Sequence, residues 1–155
     1  MTFYDEFITL EMGAFMNGNN FMAWMLRSPF HRILSGGMML ITVTGRKTGK
    51  KYTTPVEYFL ADGSVWVLTS RNRTWWRNLR DNPEIELLIK RNPVRGRGEL
   101  VLESKQVELR LMDYLHHAPM AAKPMGIRVE NKIPNAEDVA RLAGERLFVR
   151  IELLN

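Results

Sequence analysis

Two short basic stretches of the sequence carry residue types that bind anions. Arg46, Lys47 and Thr48 lie between two glycines, and four arginines follow between residues 71 and 80. Glycine lets backbone N–H groups approach a ligand closely, and Arg and Lys supply charge-assisted hydrogen bonds, so such a turn suits a phosphate or a carboxylate. A solvated hairpin tip has the same composition, and the turn alone leaves both interpretations open.

The basic turn is predicted to join two strands. Residues 40–44 are apolar and β-branched and residues 52–59 alternate, which is typical of a hairpin. Pro55 cannot donate to a strand ladder, so it predicts an edge, a bulge or a face turned toward a ligand. Backbone groups from Thr53 to Val56 would then be free to contact a flat polar molecule.

A helical layer is predicted over residues 1–36, because apolar residues recur there at helical spacing. Within it, Trp24 and Met25 are expected to wall a substrate pocket, since a Met- and aromatic-rich surface suits flat apolar molecules of varied shape. The same surface could instead pack on a partner chain or contact a membrane peripherally. Residues 38–155 are expected to form a barrel in the same single domain.

The remaining sequence predicts six antiparallel strands with short helices between them. Asp62-Gly63 predicts a tight turn between the second and third strands, and Asn92-Pro93 predicts a turn between the fourth and fifth. Residues 118–134 are expected to form an ordered loop without regular structure. Because closure removes exposed strand edges, the pattern favours a mainly β (α+β) fold, a closed or split β-barrel with helices over its ends.

Composition limits the chemistry further. The 155 residues carry a net charge of +5 and a pI near 9.7, which favours an anionic partner. The absence of cysteine excludes disulfides and thiolate chemistry, and the three histidines lack the spacing of metal ligands, so no metal site is expected. No signal peptide and no apolar run of about 20 residues is evident, so a cytoplasmic protein is expected.

Two motifs carry a family resemblance: T-G-R-K-T-G-K-K-x-T-T-P over residues 44–55 and S-R-N-R-T-W-W-R-N-L-R-D-N-P over residues 70–83. They resemble the deazaflavin-dependent nitroreductase family of the flavin/deazaflavin oxidoreductase superfamily. The resemblance implies a split β-barrel of the pyridoxamine phosphate oxidase type that binds coenzyme F-420, a deazaflavin with an anionic tail, or alternatively FMN. It also implies hydride transfer between the cofactor and a small apolar acceptor such as a quinone, an enone or a nitro compound.

The resemblance also implies which residues bind the cofactor. The tail loop is matched by Arg46, Lys47, Thr48 and Gly49, and the strand beside the ring is matched by Thr54, Pro55 and Val56. The loop that meets the phosphate is matched by Ser70 and Arg71, and the segment next to the ring by Trp75, Trp76 and Asn78. Tyr52 stands where relatives often carry a phosphate-binding arginine, and Lys51 could compensate. The tyrosines that relatives place near the substrate have no clear counterpart in residues 115–134, so the catalytic residue is unassigned.

Burial statistics separate the two adjacent tryptophans, because only one face of a short helix points inward. One of Trp75 and Trp76 is expected to pack in the core and the other to face the ligand. Two rival functions stay open: a non-catalytic carrier of a flavin, haem or lipid, and a nucleic-acid binder in which arginines contact phosphates and aromatics stack on bases. The predicted aromatics lie on helices and inner strands, which favours the small-molecule enzyme, as a monomer or homodimer.

Overall fold

The computed structural model describes residues 34–154. The predicted helical layer, including Trp24 and Met25, lies outside the described residues except at its end. There the structure corrects the prediction, because Leu34–Gly36 begin the first strand rather than end a helix. A register shift between Ser35 and Gly37 marks a β-bulge at this point, where the extra residue is accommodated without breaking the strand.

The described residues form eight strands, two α-helices and two 3-10 helices. In chain order these are β1 Leu34–Thr44, β2 Lys51–Ala61, β3 Ser64–Ser70, η1 Trp75–Arg80, β4 Glu84–Ile89, β5 Asn92–Val101, α1 Ser104–His117, η2 Pro119–Ala121, β6 Val129–Glu130, β7 Ile133–Pro134, α2 Ala136–Glu145 and β8 Arg146–Leu154. Six of the strands close an antiparallel barrel in the order β1-β2-β3-β8-β5-β4. The predicted six-stranded antiparallel barrel is therefore confirmed.

Two-residue turns with positive φ at both positions connect three hairpins. The predicted Asp62-Gly63 turn is one of them, with φ of 53° and 73°. The turn between β4 and β5 is formed by residues 90–91, with φ of 51° and 66°. The prediction that Asn92 and Pro93 form that turn is wrong, because both belong to β5.

Regular structure also occurs where a loop is predicted over residues 118–134. Strands β6 and β7 pair there through a turn at residues 131–132, which have φ of 52° and 65°. This hairpin is tied to α2 by Asp138, whose side chain is 2% exposed and accepts hydrogen bonds from the backbone N–H and the guanidinium of Arg128. Asn135 caps the N-terminus of α2, since its side chain accepts a hydrogen bond from the Asp138 N–H at 3.0 Å.

Two apolar clusters lie on opposite sides of the barrel wall. Alternate residues of every barrel strand point inward and fill the barrel, joined by Trp76 and Leu79 of η1. The opposite faces of β2, β3 and β8 supply Phe59, Trp66 and Phe148 to a second cluster, which α1 and α2 cover. The wall of the barrel is thus buried on both sides where the helices lie. This packing holds in place the strand ends that carry the site residues.

Candidate functional site

The basic turn between β1 and β2 has a compact backbone. The Gly45 N–H donates to the Lys50 carbonyl at 2.7 Å, and the Gly49 N–H donates to the Gly45 carbonyl at 2.9 Å. Gly49 adopts φ of +73°, which favours glycine, and a Cβ on Gly45 would lie 2.7 Å from the Tyr52 ring. Both glycines that bracket the motif therefore have a steric or conformational reason to be there.

Asn78 links this turn to η1. Its side-chain oxygen accepts a hydrogen bond from the Arg46 N–H at 3.1 Å, and its amide nitrogen donates to the Trp75 carbonyl at 3.2 Å. Arg46 and Asn78 are 32 residues apart in sequence, so one side chain brings the two motifs of the resemblance together. The structure gives Asn78 the role of positioning the turn.

Four cations of the two motifs are unpaired within the described part of the chain. The side chains of Arg46, Lys47, Lys50 and Arg73 are exposed and make no hydrogen bond or ion pair with residues 34–154. The backbone N–H groups of residues 47 and 48 likewise donate to no atom of the described chain. N–H donors and cations without carboxylate partners are the groups that bind an anion.

Strand β2 continues from the turn with one edge open. It pairs with β1 along its length but with β3 only at its end, where residues 59–61 oppose residues 64–66. Residues 51–58 therefore face a gap between β2 and β3, where their outward backbone groups have no strand partner among residues 34–154. Thr54 and Val56 are half-buried beside the gap and Pro55 is exposed, in agreement with the edge position predicted from the proline.

Lys51 and Arg71 point away from this arrangement. The Lys51 ammonium pairs with the Glu86 carboxylate at 2.9 Å, across β1 on the outer face of the barrel. The Arg71 guanidinium donates to the carbonyls of Leu102 and Ala143, at 2.6 and 3.2 Å. In this geometry both side chains have protein partners, so their roles as anion ligands stay predictions.

The β3–η1 loop is fixed mainly through Arg71. Its backbone N–H donates to the Glu145 carbonyl at 3.0 Å, so backbone and side chain both attach the loop to the last turn of α2. Ser70 lies beside it and its hydroxyl is 2.8 Å from the Asn72 side-chain oxygen. Arg71 therefore orients the loop that carries the unpaired Arg73.

The two tryptophans of η1 occupy different environments. Trp76 is 4% exposed inside the barrel, and the guanidinium carbons of Arg77 and Arg80 both lie 5.4 Å from the centre of its ring. Trp75 is half-buried at the border of the same cluster. This distribution agrees with the prediction of one packed and one partly open tryptophan, and the contact of Trp75 with a ligand stays a prediction.

A cavity of about 400 Å³ opens in the gap between β2 and β3. Its apolar lining comes from β2, β3, η2 and the residues that follow η2, and its polar lining comes from four side chains: Glu57, Tyr58, Tyr114 and Arg146. Within the described part of the chain, none of these four side chains has a hydrogen-bond or ion-pair partner. A cavity of this size that combines apolar lining with several polar side chains has the composition of a small-molecule site.

Burial affects both tyrosines of the cavity. Tyr58 is 3% exposed, and burial raises the pKa of its hydroxyl far above the ordinary value. Burial also raises the pKa of the Tyr114 hydroxyl, and the negative charge of Glu57 raises it further. Both phenols therefore stay protonated at neutral pH and can donate hydrogen bonds.

Sequence reasoning missed Tyr114 and Arg146. Tyr114 is on the last turn of α1, one residue before residues 115–134, and Arg146 is the first residue of β8. They are far from the two motifs in sequence, and the order of strands in the barrel brings them to the gap. An aromatic residue among the half-buried positions of α1 was the only available signal for Tyr114.

The described residues fit a deazaflavin cofactor with an anionic tail. The unpaired cations and free N–H groups suit the phosphodiester and carboxylates of the tail, and the adjoining open edge of β2 suits the polar edge of a flat ring. Residues 34–154 hold no cluster of three or more potential metal ligands and no helix long and apolar enough to cross a membrane.

Several solved structures are similar in fold to this chain. They include a conserved hypothetical protein, Rv2991 from Mycobacterium tuberculosis, at 17% identity and a TM-score of 0.55, which covers 90% of this chain and 82% of that one. A putative pyridoxamine 5′-phosphate oxidase from Listeria innocua matches at 13% identity and 0.51, covering 76% and 84% of the two chains. A putative 5-nitroimidazole antibiotic resistance protein from Bacteroides thetaiotaomicron matches at 8% and 0.52, covering 77% and 74%. At these identities the likeness establishes the split-barrel fold.

A protein-family model described as F420H(2)-dependent quinone reductase matches residues 27–134. The matched range contains the basic turn, the open edge of β2, η1 and most of the cavity lining. Because the match spans more than half of the sequence, the chain belongs to this family and is an oxidoreductase that depends on coenzyme F-420.

Proposed function

We propose that the protein transfers hydride from reduced coenzyme F-420 to a flat apolar acceptor, with the cofactor tail on the basic turn and the ring along the open edge of β2. The observation that carries this proposal is the juxtaposition of unpaired cations with an unpaired strand edge. The acceptor class is a quinone, an enone or a nitro compound, since each is flat and accepts hydride. Family membership favours this enzyme over a non-catalytic carrier and over a nucleic-acid binder.

In this proposal the turn residues bind the tail. Arg46 and Lys47 supply charge-assisted hydrogen bonds, and the free N–H groups of residues 47 and 48 add neutral donors. Asn78 keeps the turn in place through its bond to the Arg46 N–H. Thr48 and Gly49 contribute their backbone and, for Thr48, a hydroxyl that already accepts from the Lys50 N–H at 3.3 Å.

The ring side of the site uses residues of three elements. Thr54, Pro55 and Val56 offer backbone donors and acceptors to the polar edge of the ring, and Trp75 covers one side of it. When bound, the deazaflavin supplies the hydride; the protein orients the ring, binds the acceptor and excludes water. In this assignment Trp76 packs the barrel, and Ser70 contacts the phosphate from the loop that Arg71 holds.

Charge reversal in the turn tests the location of the tail. We expect Lys47→Glu to weaken binding of the oxidised cofactor at least tenfold, because a charged hydrogen bond contributes about 1.5–3 kcal/mol and 1.4 kcal/mol is tenfold. Fluorescence titration of the cofactor measures the dissociation constant. Lys105→Glu is the matched control, since it makes the same charge change at an exposed position of α1 outside the site.

Two outcomes would contradict the proposal. Equal affinities for Lys47→Glu, Lys105→Glu and the wild-type protein would mean that the tail binds elsewhere. Tight cofactor binding without reduction of menadione, a cyclic enone or a nitroaromatic compound would indicate a carrier. Peripheral membrane contact and homodimerisation stay predictions, which sedimentation with and without anionic vesicles can test. A cytoplasmic location stays a prediction that cell fractionation can test.

A further inference from the structure

The cavity between β2 and β3 contains more polar groups than cofactor binding on the basic turn uses. Glu57, Tyr114 and Arg146 all line it, and none of these side chains has a hydrogen-bond or ion-pair partner among residues 34–154. Its volume of about 400 Å³ lies in the range of small-molecule pockets, which span about 300–1,000 Å³. The cavity therefore has room and free hydrogen-bonding groups for a second flat molecule next to the open edge of β2.

Packing fixes the position of Tyr114. Its ring lies 4.6 Å from the Phe59 ring, centre to centre, at an interplanar angle of 42°. Phe59 is 5% exposed and itself packs edge-on against Phe148 at 6.1 Å, so the contact is anchored in the helix-covered cluster. A ring held in this way presents its hydroxyl at a defined place, which a hydrogen-bond donor to a ligand requires.

The surroundings also fix the protonation state of Tyr114. Burial and the nearby Glu57 carboxylate both raise the pKa of the phenol, so the hydroxyl keeps its proton throughout the neutral range. A neutral phenol donates one hydrogen bond, and a carbonyl oxygen accepts it. The apolar lining from Leu68, Pro124 and Met125 suits the rest of a flat carbonyl compound.

We propose that this cavity is the acceptor site and that the Tyr114 hydroxyl donates a hydrogen bond to a carbonyl oxygen of the acceptor. This inference rests on the proposed function and adds the location and carbonyl chemistry of its second substrate. Reduction of a quinone to a hydroquinone takes two electrons and two protons. Both electrons and one proton arrive as hydride, the second proton comes from solvent, and Tyr114 keeps its own proton while it stabilises charge that develops on the oxygen.

Two redox-inert probes isolate the hydrogen bond. 1-Tetralone carries one carbonyl beside an aromatic ring, and tetralin has nearly the same shape without the oxygen. Calorimetric titration of protein saturated with oxidised cofactor should show tighter binding of 1-tetralone in the wild type. We expect Tyr114→Phe to weaken 1-tetralone binding about two- to tenfold, the range of one neutral hydrogen bond, and to leave tetralin binding unchanged.

Controls separate this role from a structural one. His116→Gln changes an exposed residue of the same helix outside the cavity and should preserve the preference for 1-tetralone. In steady-state reduction of menadione, Tyr114→Phe should raise KM and lower kcat, because the lost hydrogen bond holds the acceptor and stabilises the developing charge, while the dissociation constant of the cofactor and the melting temperature stay at wild-type values. A preference that survives in Tyr114→Phe, or an equal loss of affinity for both probes, would overturn the inference.

The same measurements distinguish failure of the inference from failure of the proposed function. If the wild type reduces menadione with the deazaflavin cofactor but binds neither probe, the acceptor binds elsewhere and the inference is wrong while the function stands. If the wild type prefers 1-tetralone through Tyr114 but reduces no acceptor, the carbonyl site stands and the proposed reductase activity does not.

Discussion

The basic turn and the cluster of Asp138, Arg128 and Arg141 both contain exposed arginines, but only the cluster pairs its arginines with a carboxylate. At Asp138, the Arg128 Nε donates to the carboxylate at 2.9 Å and Arg141 donates to it at 3.1 Å, so the carboxylate is fully engaged. In the basic turn, Arg46 and Lys47 have no side-chain partner within residues 34–154. The first arrangement stabilises the fold, and the second leaves charge available for a ligand.

Arg71 shows that sequence position alone does not decide between these roles. It lies in a motif that resembles a phosphate-binding loop, yet its guanidinium contacts two backbone carbonyls. The partners that a cation already has, rather than the motif that contains it, therefore separate structural from ligand-binding arginines. Three substitutions test this distinction, in order of decreasing expected effect on stability.

Arg71→Met should have the largest effect. It removes two charge-assisted hydrogen bonds, one that attaches the β3–η1 loop to Leu102 after β5 and one that attaches it to Ala143 of α2, so we expect a loss of about 2–4 kcal/mol in the free energy of unfolding. Urea denaturation measures this loss. If the stability is unchanged and cofactor affinity falls, Arg71 is an anion ligand, as the resemblance implies.

Asp138→Asn should have an effect that depends on pH. Hydrogen bonds from Arg128 hold the pKa of the Asp138 carboxyl well below its usual range. A lowered pKa in the folded state stabilises the protein above the unfolded-state value, near about 3.9, and this stabilisation is lost as pH falls. The difference in melting temperature between wild type and Asp138→Asn should thus be largest at neutral pH and shrink below pH of about 4. A constant difference across this range would contradict the assignment.

Lys51→Gln should have the smallest effect. The Lys51 and Glu86 side chains are 61% and 56% exposed, and exposed ion pairs contribute about 0–1 kcal/mol. We expect a change in unfolding free energy below about 1 kcal/mol and an unchanged affinity for the cofactor. A fall in affinity as large as that of Lys47→Glu would place Lys51 in the anion site despite its pairing with Glu86.

Local sequence signals predicted the turn that depends on only two residues. Asp62-Gly63 behaves as its residue types require. The turn at residues 90–91 was missed because Lys and Arg seldom adopt positive φ, whereas the adjacent Asn92 and Pro93 are common turn residues.

The candidate site also has one part that local sequence signals predict and one part that they do not. The basic turn could be found from its glycines and cations, because its geometry is local. The cavity could not, since Tyr114 and Arg146 meet Glu57 only through the order of strands in the closed barrel. The partners of Arg71 were equally hidden, because the carbonyls of Leu102 and Ala143 carry no sequence signature.

The position of β8 between β3 and β5 has a consequence for biosynthesis. Strand β8, Arg146–Leu154, hydrogen-bonds to β3 on one side and to β5 on the other. The edges of β3 and β5 that face β8 therefore stay uncovered until this segment leaves the ribosome. A nascent chain that has emerged only as far as α2 exposes two strand edges that can pair with other chains. The barrel therefore closes only after its last strand has emerged, and translation stalled just before Arg146 should yield an aggregation-prone intermediate.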